Sequence, residues 1–162
     1  VIIPGGFGSQ GIEGKLLAIE YVRKNNIPFL GISFGLHLTA IEFARNVLNI
    51  KGATSREFVP HTKYPVIERA NKINKNKQQA KLRQKLGLDR FEFNKTYNQQ
   101  FINNGMVVSG KGHLDSIQVM EYPKNDFFIT VQYHPEFLSR PLRAHPLFVE
   151  FLKVIKSKEN KL

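Results

Sequence analysis

Ser33 stands between two glycines in Gly31-Ile32-Ser33-Phe34-Gly35-Leu36-His37, a small nucleophile-type residue where an apolar run gives way to helical spacing. Pro28-Phe29-Leu30-Gly31-Ile32 reads as a short buried strand, and Leu36, Ala40, Phe43 and Val47 recur at helical spacing after it. A strand-turn-helix elbow follows, with the Ser33 side chain at its apex beside the free N–H groups of the helix start. A second stretch, Val131-Gln132-Tyr133-His134-Pro135-Glu136-Phe137, offers an imidazole as general base and a carboxylate to orient it. His134 and Glu136 are far from Ser33 along the chain, so only the fold can assemble the three.

The elements that must do the positioning are legible in outline. Val1-Ile2-Ile3-Pro4 is an apolar run that enters Gly5-Gly6-Phe7-Gly8, a strand delivering a glycine turn. Close backbone approach there suits an oxyanion hole or a phosphate cradle, and equally a plain tight turn. Beginning in mid-strand, the chain reads as cut from something longer. Leu16, Ile19 and Val22 share a helical face between Glu13 and about Asn25, ended by Asn25-Asn26-Ile27-Pro28. A strand-helix-strand unit of this kind favours parallel strands. Residues 49–67 read as loop with an extended piece at Tyr64-Pro65-Val66-Ile67. Strands are predicted at Arg90–Asn94, Gly105–Gly110, Ser116–Tyr122 and Phe127–Tyr133, and a last helix carries the stripe Phe148, Leu152 and Ile155. No internal repeat is visible.

With 162 residues and 41% apolar content, the chain is sized for one domain with a core. It contains no cysteine, which excludes disulfides, thiolate metal sites and thiol catalysis. His37, His61, His113, His134 and His145 show no metal-binding spacing. No run of eighteen apolar residues and no signal-peptide pattern is present, so a cytoplasmic protein without a membrane span is expected. The net charge of +11 raises the question of nucleic acid, but residues 69–89 hold seven basic side chains and one acid, leaving 17 basic against 12 acidic residues elsewhere. That segment has no aromatic residue for base stacking, so a solvated, low-complexity basic insertion at 68–89, helical in part from Gln78 to Leu86 or disordered, is expected rather than a nucleic-acid site.

Pro4-Gly-Gly-Phe-Gly8, the elbow, Ile41-Glu42-Phe43-Ala44-Arg45-Asn46 and Tyr133-His-Pro-Glu-Phe-Leu-Ser-Arg-Pro141 together resemble the C-terminal class I glutamine amidotransferase domain of the CTP synthases. The likeness covers the first 67 residues and the last 70 or so, and it implies a doubly wound, mostly parallel α/β sheet with flanking helices whose N-terminal strands are absent from this chain. It implies hydrolysis of glutamine through a thioester, with ammonia passed to a synthetase domain of the same polypeptide that aminates ATP-activated UTP to CTP. By that resemblance Ser33, His134 and Glu136 are the catalytic positions, Gly6 and Phe34 N–H groups the oxyanion hole, and Gly5, Phe7, His37, Glu57 and Arg90 contact substrate. Glu57 would hold the amine of glutamine and Arg90 its carboxylate, the acid and guanidinium a zwitterion requires. No cofactor or metal is implied for this domain; the whole enzyme would use ATP and Mg, respond to GTP, and form a homo-oligomer, a tetramer.

The chain departs from the family pattern at four positions of the elbow and at two further places. Ser33, Phe34, Leu36 and His37 replace the cysteine, leucine, methionine and glutamine of Gly-Ile-Cys-Leu-Gly-Met-Gln, and a hydroxyl is a poorer nucleophile than a thiol. The family's Gly-Gly-Thr-Met-Arg-Leu-Gly segment is replaced by the basic insertion, and Gln10 replaces the arginine of a loop tied to GTP activation. A weakly active or silent glutaminase is therefore expected. Two other functions fit the residues: a non-catalytic module for assembly or regulation, and a serine hydrolase using Ser33 itself.

Overall fold

The computed structural model describes residues 1–70, 91–112 and 115–160. Four short strands and two helices make its first part: β1 (Ile2–Ile3), α1 (Ile12–Lys24), β2 (Phe29–Ile32), α2 (Phe34–Asn46), β3 (Thr54–Ser55) and β4 (Pro65–Arg69). After the undescribed stretch come β5 (Phe91–Phe93), a single 3-10 turn (Lys95–Tyr97), α3 (Asn98–Asn103), β6 (Val107–Lys111), β7 (Ile117–Glu121), β8 (Phe128–Val131), a 3-10 turn (Pro135–Leu138) and α4 (Pro146–Glu159). Arg90, the proposed helix at 78–86 and nearly all of the basic segment lie outside the described residues.

One five-stranded sheet runs β1-β2-β8-β7-β6, and a three-stranded sheet runs β3-β4-β5. In the larger sheet β1, β2 and β8 are parallel, with Ile3 opposite Gly31 and Ile32 opposite Val131, and β7 and β6 continue it antiparallel. In the smaller one β3 and β4 are parallel and β5 is antiparallel. The fold is thus α/β, and the parallel pairings gather around β2. All four residues of β2 are buried, because Phe29 faces α1 and α2 while Leu30 and Ile32 face α4. Burial on both faces is why this strand is an unbroken apolar run rather than an alternating one.

Helix α1 buries Ile12, Leu16, Ile19 and Val22, the face expected from spacing. Helix α2 is different: every residue from Phe34 to Ala44 is buried, because it lies between α1, the large sheet and the small one. Its polar residues accordingly have partners. Thr39 Oγ1 donates to the Gly35 carbonyl at 2.8 Å, and the Glu42 carboxylate, with no exposed side-chain surface, takes Arg23 Nη2 at 2.6 Å and Nε at 3.0 Å. Asn46 Nδ2 adds a third bond to it at 3.0 Å. Burial opposes the charge on Arg23, but the hydrogen bonds and charge of Glu42 outweigh it and raise the Arg23 pKa above its ordinary value.

On the opposite face, α4 begins with Pro146 at its first position, where a missing N–H costs nothing. It packs Phe151, with Leu147, Phe148, Val154 and Ile155, onto Leu30, Ile32, Phe127 and Val131. The stripe expected from sequence is corrected at one position. Leu152 is 63% exposed and Phe151 is buried in its place, because positions 147, 148, 151, 154 and 155 form the wider stripe of a core-facing helix. Phe151 sits edge-on to Phe127, ring centroids 5.3 Å apart.

Removing one partner of the buried Arg23–Glu42 pair leaves the other charge stranded. Arg23→Ala is expected to lower unfolding stability by about 3–5 kcal/mol, whereas Arg23→Ala combined with Glu42→Leu recovers most of the loss; urea titrations of the two variants measure it.

Candidate functional site

The C-terminal ends of β1, β2 and β8 lie side by side, and each leads directly into one of the three stretches singled out above. Open α/β sheets place their ligand sites at this edge. From β1 comes the Gly5–Gly8 loop, from β2 the elbow, and from β8 Gln132 and His134. The register brings them together: Ile32 pairs with Val131, and Ser33 N–H donates to the Val131 carbonyl at 2.6 Å.

Ser33 occupies φ 52°, ψ −96°, outside the regions a serine ordinarily takes. A non-glycine residue held there is strained by roughly 1–3 kcal/mol and persists only where its surroundings enforce it. The enforcing contacts come from the flanking glycines. A Cβ on Gly35 would lie 2.5 Å from the Ile3 carbonyl oxygen, and one on Gly31 would lie 3.0 Å from both the Gly35 carbonyl carbon and Thr130 Cγ2. Only glycine lets the start of α2 press this closely on β1. The first intrahelical bonds run from Leu36 and His37 N–H to the Ser33 carbonyl, at 3.0 and 3.3 Å, so the Phe34 N–H precedes the bonded ladder, as an oxyanion donor must. The Gly6 Cα faces the Phe34 ring, an added Cβ standing 3.5 Å from Cδ1, which puts the two proposed oxyanion donors on neighbouring residues.

His134 Nδ1 and Glu136 Oε1 are 2.6 Å apart. With Nδ1–H donating to the carboxylate, the Nε2 lone pair is free to act as a base. The imidazole abuts the glycine loop, since a Cβ on Gly5 would fall 2.6 Å from His134 Cε1. No hydrogen bond joins Ser33 Oγ to this ring among the described residues. The three expected catalytic residues therefore share one edge of the sheet, with the dyad closed and the Ser33 hydroxyl not bonded to it.

Glu57 is brought to the same loop: its Oε1 accepts from Gly8 N–H at 3.1 Å. It follows β3 through a turn in which Ser55 Oγ accepts from Glu57 N–H at 3.0 Å, and Phe58 packs edge-on against Phe34, centroids 6.0 Å apart. Phe7 is 92% exposed beside it. Arg90 lies outside the described residues; β5 begins with the next residue.

His37, one turn into α2, is buried and bonds through Nε2 to Gln132 Oε1 at 3.1 Å. Its Nδ1 is buried and, among the described residues, makes no hydrogen bond of normal geometry. Loss of hydration lowers its pKa to about 4, with the Gln132 bond and the Phe91 backbone only partly opposing the shift. The ring is neutral at pH 7. Gln132 itself was not among the residues expected at the site, and the signal that could have found it was its place between β8 and His134.

A cleft of about 440 Å³ opens nearby between Ser9–Gly14, Ile41, Arg45 and the Thr54–Val59 segment. Neither Ser33, His134 nor Glu136 lines this cleft.

Elbow, glycine loop and histidine-glutamate dyad meet at one edge of the sheet, and comparison with known proteins shows the family to which the chain belongs. The profile of the glutamine amidotransferase class-I family matches residues 1–154, and the chain belongs to that family. Within it, the chain is similar to the CTP synthases of Staphylococcus aureus strains JH9 and Newman, each 40% identical over 190 aligned positions that cover 99% of this chain and 35% of the relative. The chain thus spans about a third of the length of these relatives. Its fold is similar to that of the glutaminase domain of CTPS from Trypanosoma brucei, solved with bound acivicin. That likeness has a TM-score of 0.78 at 27% identity, over 94% of this chain and 69% of the other.

Because His37 is neutral when folded and protonates near pH 6.5 when unfolded, the unfolded state binds more protons between these values. Stability is full above about pH 6.5 and falls as pH drops toward 4, by about 3 kcal/mol for this group. His37→Gln is expected to flatten that part of the profile, as read by denaturant midpoints at pH 7 and 4.5.

Proposed function

We propose that this chain is the glutaminase domain of a CTP synthase in which Ser33 stands where relatives carry the nucleophilic cysteine, leaving its glutamine hydrolysis weak or silent. The observation that carries the reading is the strained elbow at Ser33 with the His134–Glu136 dyad seated on the adjoining glycine loop. Glutamine is the substrate the site suits. Its carboxamide carbon would meet the residue-33 side chain, the developing oxyanion would take the Gly6 and Phe34 N–H groups, and His134 would shuttle the proton while Glu136 holds its tautomer. Glu57 would release Gly8 and hold the ammonium group, with Arg90 on the carboxylate and Gly5, Phe7 and His37 shaping the pocket.

Ser33 weakens the first step. A neutral hydroxyl needs its proton removed as it attacks, and the Ser33 hydroxyl has no hydrogen bond to His134. Loss of a triad nucleophile costs about 10⁴ to 10⁶ in kcat. That feature favours a second reading, a non-catalytic amidotransferase-like module that serves assembly or regulation of a longer protein.

For the longer protein we propose ATP-dependent amination of UTP to CTP, fed by glutamine or by free ammonia, in a cytoplasmic homo-oligomer, a tetramer. No helix of the described residues is long and apolar enough to cross a membrane. Among the described residues no group of three or more His, Asp or Glu side chains is placed to hold a metal ion. By the resemblance, ATP and Mg would be held by a synthetase domain, and the replacement at Gln10 argues against a strong GTP response.

Ammonia release from glutamine by the full-length protein, before and after Ser33→Cys, tests the reading. We expect release near background for Ser33 and a gain of at least about 10³-fold for Ser33→Cys, with CTP formed from free ammonium by both. Normal release by the serine form would refute silence. Inactivity of both forms toward glutamine, with ammonium-dependent synthesis intact, would favour the non-catalytic module.

A further inference from the structure

We propose that Phe137 is a positioning residue that fixes the His134 imidazole in its working orientation. The inference rests on the assignment of His134 as the base. His134 and Glu136 have 37% and 40% of their side-chain surface exposed, so a single bond between two solvent-facing groups does not fix a ring. Rotation of an imidazole about its last torsion is soft and roughly two-fold, and a flipped ring would offer the wrong atom to the nucleophile.

Phe137 supplies the missing constraint. Its ring lies nearly parallel to that of His134, 5.1 Å between centroids and 19° between planes. Phe137 is otherwise 72% exposed, and it belongs to neither hydrophobic core. An aromatic side chain so exposed contributes little to the core, and what it does cover is the imidazole. The 3-10 turn Pro135–Leu138 sets the arrangement locally, with Phe137 N–H bonded to the His134 carbonyl at 3.2 Å and Ser139 N–H to that of Glu136 at 3.3 Å. His-Pro-Glu-Phe is thus one rigid unit in which residue 136 holds Nδ1 and residue 137 lies on the ring face. Gly5 meets the ring at Cε1. Those three contacts leave Nε2 as the free nitrogen.

The test uses the chain labelled with ¹³C and ¹⁵N at histidine, as it stands and as Phe137→Ala, Phe137→Leu and Phe137→Tyr. The parent is expected to show a His134 imidazole with ring-current-shifted carbon-bound protons and a single Nδ1–H tautomer. Phe137→Ala and Phe137→Leu lose both signatures, and Phe137→Tyr restores them, while the resonances of buried His37 stay in place and report an intact fold. In the Ser33→Cys background, Phe137→Ala lowers kcat about ten- to a hundredfold with KM within about twofold, and Phe137→Tyr recovers it. An unchanged tautomer and line width for His134 in Phe137→Ala would overturn the proposal. If Ser33→Cys is itself inactive, the glutaminase reading fails, and the resonances still decide the role of Phe137.

Discussion

The contact on which the rest of the molecule depends is between two backbones. The first turn of α2 presses on the end of β1 so closely that the Gly35 Cα faces the Ile3 carbonyl with no room for a methyl group. This approach makes the elbow sharp, holds Ser33 in a conformation it would not choose, and seats Phe34 beside Gly6. Parallel pairing of β1, β2 and β8 then needs only its ordinary register to bring the glycine loop and the His134 segment to the same edge. The site is therefore a by-product of close packing at one corner, and side chains enter it already oriented around a central strand, β2, that is buried on both faces.

A helix driven that far into the fold has no solvent side, and α2 shows the consequence. Its polar residues are each tied down, Thr39 to its own backbone, Glu42 to Arg23 and Asn46, and His37 to Gln132. The Glu42 ion pair joins the two helices that cover one face of the sheet. His37 is less fully served, with one ring nitrogen lacking a hydrogen bond among the described residues, and it stays neutral because hydration is denied to it. A buried helix with charged and imidazole side chains is costly to assemble and, once assembled, accepts few alternative neighbours.

Much of this was legible in the residues and some was not. The α1 face at Leu16, Ile19 and Val22, the β2 run and the elbow glycines are local signals, since periodicity and backbone freedom are properties of a few neighbouring residues. The all-round burial of α2 was not, because it depends on what packs against the far side, and Glu42 and Thr39 look like a solvent face until α1 and the small sheet arrive. Phe151 displaced Leu152 for the same reason: the choice between adjacent apolar residues belongs to the sheet below. Helix α3, written Asn98-Gln99-Gln100-Phe101-Ile102-Asn103, buries only Phe101, too little periodicity to announce it. At the site, the pairing of His134 with Glu136 lay within three residues and could be read directly. The bonds of His37 to Gln132 and of Gly8 to Glu57 span 95 and 49 residues, and only the folded chain brings them into contact.

Ser33 carries the strain of the elbow in its backbone, while its hydroxyl makes no hydrogen bond among the described residues. The fold therefore depends on the backbone of this residue and not on its hydroxyl. A lineage can therefore exchange the side chain at this position in a single step and still inherit an intact fold, because the strained turn is a matter of backbone. Exchange at Gly31 or Gly35 offers no such route, because there the architecture would be lost along with the chemistry.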